Sequence, residues 1–209
     1  MSLRVRLRFT KSLLRRSERL CFAFGFACLG WCTAAMAHVW LFQAYESWAF
    51  EQQLGGEPVS VREFLVHAAA FSEPGAPVDH SIVGRIEIPR IGLKAMILEG
   101  ASRRTLALAV GHIPGTALPG AKGNAAIAGH RDTFFRALKD IRPGDKILVT
   151  TLEGFFEYQV KACNVVGPRD TRVLEDTAEP ALTLVTCYPF HYLGPAPERF
   201  IVRATRGAS

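Results

Sequence analysis

The sequence has no CxxC pair, and only two of its five cysteines, Cys163 and Cys187, lie beyond residue 32. A structural zinc site or a disulfide scaffold needs a fuller and better-paired set of thiols, so neither is expected. The chain also lacks internal repeats and low-complexity tracts. Its 209 residues have room for one domain of ordinary size plus an appendage. Net charge is missing from most of the chain. Met1 to Arg19 carries seven basic residues against Glu18, and the other 18 basic and 18 acidic residues cancel. A neutral body gives nucleic acid little to hold.

The appendage is marked by another absence. From Leu20 to Phe42 there is no Asp, Glu, Lys or Arg. That length suits one bilayer-crossing helix, and the flanking arginines belong on the cytoplasmic side. Ala35-Met36-Ala37 also fits a signal-peptide cleavage site, but apolar character continues through Val39-Trp40-Leu41-Phe42, which favours an uncleaved anchor. Both readings export everything that follows. Leu29-Gly30-Trp31-Cys32 is a poor lipoprotein site, because Trp31 is too large for its position. The expected organisation is a basic cytoplasmic tail over 1–19, a single-pass anchor over 20–42, a linker over 43–81 with a short helix at Val59 to Ala70, and a domain over 82–209.

That domain reads as mainly β. Short apolar or alternating runs recur at Val83 to Ile88, Leu93 to Leu98, Ala125 to Ala128, Lys146 to Thr151, Phe155 to Val166, Leu182 to Thr186 and Phe200 to Thr205. Helix is expected only at Ser102 to Leu108, behind a Ser cap, and at Thr133 to Lys139. So many short strands favour a closed or nearly closed barrel with protected edges.

Chemistry concentrates at strand ends. Cys187 closes one apolar run and Arg199 opens the next, across a loop containing Pro189, Gly194, Pro195 and Pro197. A thiol beside a fixed guanidinium suits acyl transfer, with the thiolate attacking a carbonyl and the cation receiving the oxyanion. The base is expected to be His130, which follows the strand Ala125 to Ala128 and emerges at the same barrel rim. His191 is the rival, but it lies in the Pro-rich loop, and a base needs rigid placement. His112 sits in a Gly- and Pro-flanked turn, Thr186 precedes the thiol, and Asp132 is placed to orient His130 or to cap a turn. Cys163 reads as a buried small hydrophobe. Leu118-Pro119-Gly120-Ala121-Lys122 reads as a turn.

Ala128-Gly129-His130-Arg131-Asp132, Thr183-Leu184-Val185-Thr186-Cys187 and Arg199 at the start of the last strand together resemble a sortase, more narrowly one of class D. The similarity covers roughly Val83 to Arg206, including Gly84 to Pro89 and Gly111 to Thr116. It implies an eight-stranded sortase barrel and a cysteine transpeptidase cleaving an LPxTG-type C-terminal sorting signal through a thioacyl intermediate. Carried over, Cys187 is the nucleophile, His130 the general acid/base and Arg199 the substrate clamp or oxyanion stabiliser; Thr186 either contacts substrate or fills a strand position, and His112 either contacts substrate or holds its loop by a hydrogen bond. The implied partners are proteins bearing the signal and an amine acceptor, a cell-wall peptide or a pilin Lys. No metal, cofactor or nucleic acid is expected. The competing readings are an exported β-barrel binding module with a structural Cys187, and a cysteine protease with water as acceptor.

Overall fold

The computed structural model describes residues 3–55, 81–192 and 194–207. The chain divides into two compact units, Met1–Phe42 and Gln43–Ser209. A helix, α1, runs from Leu3 to Leu54. Its stretch from Arg15 to Leu54 is long and apolar enough to cross a membrane, and Phe22, Phe24, Phe26, Trp31 and Trp40 all point into surroundings that the protein itself does not supply. The helix passes the expected anchor end at Phe42, so the first part of the expected linker is helical. The short helix expected at Val59 to Ala70 lies outside the described residues.

In the second unit, the end of α1 is tied to the β domain by polar contacts. The Gln43 side chain donates to Leu108 O at 2.7 Å and accepts from Met96 N at 3.0 Å, and Glu51 pairs with Arg85 at 2.7 Å. The domain is a closed barrel of eight strands: β1 (Ile82–Ile88), β2 (Leu93–Glu99), β3 (Val110–His112), β4 (Asn124–Ala128), β5 (Lys146–Thr151), β6 (Gly154–Val166), β7 (Ala181–Tyr188) and β8 (Glu198–Arg206). Around the barrel they follow the order β1-β2-β3-β4-β7-β8-β6-β5, and β1 closes on β5. The β2–β3 and β4–β7 pairs are parallel, and the remaining pairs are antiparallel.

Alternation along each strand builds the interior. Ile86 and Ile88, Ala125 and Ile127, Leu182 and Leu184, and Val202 and Ala204 all enter one core with Phe135, Leu138 and Tyr158. Helix α2 (Arg103–Leu108) begins as its Ser cap predicts, with Ser102 Oγ accepting from Thr105 N at 3.1 Å. The helix expected at Thr133 to Lys139 forms as a 3-10 helix over Phe134–Asp140. One strand departs from expectation. Val110–His112 is a strand rather than a turn, so His112 is held in the sheet between β2 and β4. Three residues including a glycine are too few to show a period.

Candidate active site

The strand registers bring three distant residues into one row. In the parallel β4–β7 pair Ala128 lies opposite Val185, and Gly129 N continues the pairing by donating to Val185 O at 3.1 Å. Carried forward, that register sets position 130 beside position 187. On the other side of β7, Cys187 is the direct partner of Arg199 on β8. Facing follows from alternation. Leu184 and Val202 point into the core, so Cys187 and Arg199 lie on the outer face, and Ile127 places 128 and 130 on that face too. Continued two residues past β4, the β4–β7 register puts His130 in line with Cys187 on β7 and Arg199 on β8 at one barrel end, and all three are half-buried.

Their side chains differ in what they already hold. The Cys187 thiol is free. The His130 imidazole makes no hydrogen bond to any other described residue. The Arg199 guanidinium donates to Glu198 O at 2.9 Å and Ala196 O at 3.3 Å. Next to Cys187, Tyr188 stacks on Phe200 at 6.2 Å, and Phe190 meets Phe200 edge-on at 5.3 Å.

Thr186 and His112 are both buried and hydrogen-bonded within the barrel. Thr186 is only 2% exposed, and its hydroxyl donates to Gly129 O at 2.7 Å. It faces inward because it alternates with Cys187, and it anchors the residue before His130. His112 is 3% exposed; its Nδ1 lies 2.8 Å from Glu99 Oε2 and its Nε2 lies 2.9 Å from Ala117 O. Both ring nitrogens are committed to joining β2, β3 and the following loop, so His112 is a structural tie. Gly129 has its own reason to be glycine: a Cβ there would lie 2.6 Å from the Phe135 ring. Asp132 is exposed and makes no hydrogen bond to a described residue, so it does not orient His130, and His191 is exposed in the β7–β8 loop. Cys163 packs against the core on β6, where burial and the Asp145 charge push its thiol up. Among the described residues no group of three His, Cys, Asp or Glu is placed to hold a metal ion. A residue given no role by the sequence is Arg131, whose guanidinium reaches three carbonyls of the β7–β8 loop. Its only sequence signal is its place directly after His130.

The family model of the Sortase domain matches residues 86–207, from the second half of β1 through β8. The chain belongs to the sortase family. Sortase D of Bacillus subtilis (strain 168) is 36% identical over 124 residues, covering 59% of this chain and 63% of that protein. The chain thus spans less than two thirds of the length of that Sortase D and of the Sortase A proteins of Bacillus anthracis and Listeria monocytogenes. Among solved structures, the Clostridium perfringens Sortase D5 transpeptidase superposes with a TM-score of 0.60 at 30% identity, covering 77% of this chain and 94% of that one. Sortase A from Corynebacterium diphtheriae gives 0.58 at 33% identity over 63% of each chain. The sortase barrel thus includes every strand that positions the row.

Proposed function

We propose that this sortase is a class D-like cysteine transpeptidase, held at the cytoplasmic membrane by α1, with its basic N-terminus inside and its barrel outside. The observation that carries the reading is a free thiol paired across β7 and β8 with an arginine; the parallel β4–β7 register, continued past the end of β4, supports a histidine alongside. The substrate is a protein with an LPxTG-type signal near its C-terminus. The Cys187 thiolate attacks the Thr carbonyl of that signal, and the developing oxyanion exchanges for the loop carbonyls that Arg199 holds. The C–N bond breaks, His130 protonates the departing amine, and the acyl group remains on Cys187 as a thioester. An acceptor amine then attacks. His130 takes its proton, the C–S bond breaks, and a new amide leaves with the thiolate restored. A cell-wall peptide or a pilin Lys supplies such an amine.

Product analysis tests the reading. The full chain in detergent micelles is mixed with an LPxTG-type peptide library, with and without an amine acceptor. Ligated peptide that rises with amine and disappears in Cys187→Ala is the expected outcome. Hydrolysed peptide alone, unaffected by amine, marks a protease. No turnover of any peptide, with a Cys187 that resists alkylation, marks a binding module.

A further inference from the structure

Arg131 plays no part in the chemistry above, yet its guanidinium is committed to one loop. Nη1 donates to Pro189 O at 3.0 Å, and Nη2 donates to Tyr192 O at 2.8 Å and Gly194 O at 3.0 Å. The guanidinium carbon also lies 5.8 Å from the centre of the Tyr192 ring. All these contacts fall between β7 and β8. One side chain thus runs from the residue after His130 to a loop that begins just beyond Cys187.

The loop needs such a partner. Pro189, Pro195 and Pro197 have no N–H to donate, and no backbone hydrogen bond joins two described residues between 189 and 197. A planar fork with fixed N–H directions can gather several carbonyls at once, whereas an ammonium is a point donor. Arg199 holds the far end of the same loop through Ala196 O, and also donates to Glu198 O at the start of β8. When Arg199 turns to a substrate oxygen, those bonds are released and the Arg131 bonds remain.

We propose that Arg131 is a positioning residue that fixes the β7–β8 loop beside the Cys187–Arg199 pair and so determines which sorting signals the sortase accepts. The proposal rests on the transpeptidase reading. Its test uses the full chain in detergent micelles as wild type, Arg131→Ala and Arg131→Lys. Three quantities are read: KM and kcat for LPxTG-type peptides differing at one position, limited proteolysis within the β7–β8 loop, and site-mapped alkylation of Cys187 by iodoacetamide.

Both variants should raise KM for the preferred peptide by about tenfold, in line with losing charge-assisted hydrogen bonds that are partly open to water. The change in kcat should be smaller than the change in KM, and the preference between peptides should flatten. Proteolytic cleavage should quicken in the loop but not in β7 or β8, while Cys187 remains reactive to iodoacetamide. Wild-type KM and peptide preference in either variant overturn the proposal, as does cleavage throughout the barrel with the preference ratio intact. Wild-type protein that forms no peptide product while Cys187 is alkylated defeats the transpeptidase reading and the proposal with it, and that result appears before any variant is compared.

Discussion

Replacing Thr186 with Val removes one hydroxyl and keeps the shape. In the wild-type barrel that hydroxyl donates to Gly129 O at 2.7 Å from a position 2% exposed. The Gly129 N–H is bound to Val185 O at 3.1 Å, so both polar groups of Gly129 are held by β7. Valine leaves a buried carbonyl without its donor, which costs about 1–3 kcal/mol. It also frees the chain just before His130, where a shift of about 1 Å in a catalytic group lowers the rate by about a hundredfold. Thr186→Ser keeps the donor and loses only a methyl group, about 1 kcal/mol. All three tryptophans lie in residues 31–48, outside the barrel, so tryptophan fluorescence does not report on it. Pulse proteolysis across a urea series does, and for a urea dependence of about 1–3 kcal/mol per molar the valine variant should unfold about 1 M earlier. The order of both stability and peptide turnover should be wild type, then Ser, then Val. A valine variant with wild-type midpoint and turnover would refute the idea that Thr186 acts through Gly129.

Gly129→Ala should destabilise the barrel by about 1–3 kcal/mol and slow turnover, because its Cβ meets the Phe135 ring at 2.6 Å; the same urea series and peptide assay read both. A barrel starting at Ser81 loses the Gln43 bonds to Met96 N and Leu108 O, and should be less stable than one starting at Gln43 by about 1–3 kcal/mol, with little of that from the exposed Glu51–Arg85 pair. Thermal melts of the two chains decide it. The Arg90 guanidinium, helped by the Arg142 N–H, holds the Asp145 carboxyl below its ordinary value. A lowered folded pKa stabilises above the unfolded value of about 3.9 and is lost as pH falls through the folded one. Wild type should therefore lose stability below about pH 4 more steeply than Asp145→Asn does, and unfolding midpoints at several acid pH values test the difference.

Most of the barrel was legible because its strands are short, alternating and separated by turn residues; the runs at Lys146 to Thr151 and Phe155 to Val166 reappear as β5 and β6 within a residue. The chain does not announce neighbours, so the β4–β7 parallel pairing that sets His130 beside Cys187 was readable only as two strand ends sharing a rim. Facing was also hidden at the ends. Thr186 and Cys187 are adjacent in sequence, yet alternation buries one and half-exposes the other. His112 reads as a turn residue for a different reason: a three-residue strand containing glycine carries no period, and its side-chain partners Glu99, Thr116 and Ala117 all lie outside that strand. Arg131 was in view beside His130, but its carbonyl partners lie 58 to 63 positions away and no side-chain pattern marks them.

In the proposed reaction Cys187 receives the acyl group with His130 and Arg199 assisting. Intact-mass and peptide-level mass spectrometry of the full chain in detergent, quenched in acid during turnover of an LPxTG-type peptide, reads this step. An acyl adduct should appear on Cys187 that is absent in Cys187→Ala, is strongly diminished in His130→Ala and Arg199→Lys, and is discharged when amine is added. An adduct on another cysteine, or equal Cys187 labelling in the His130 and Arg199 variants, would contradict it.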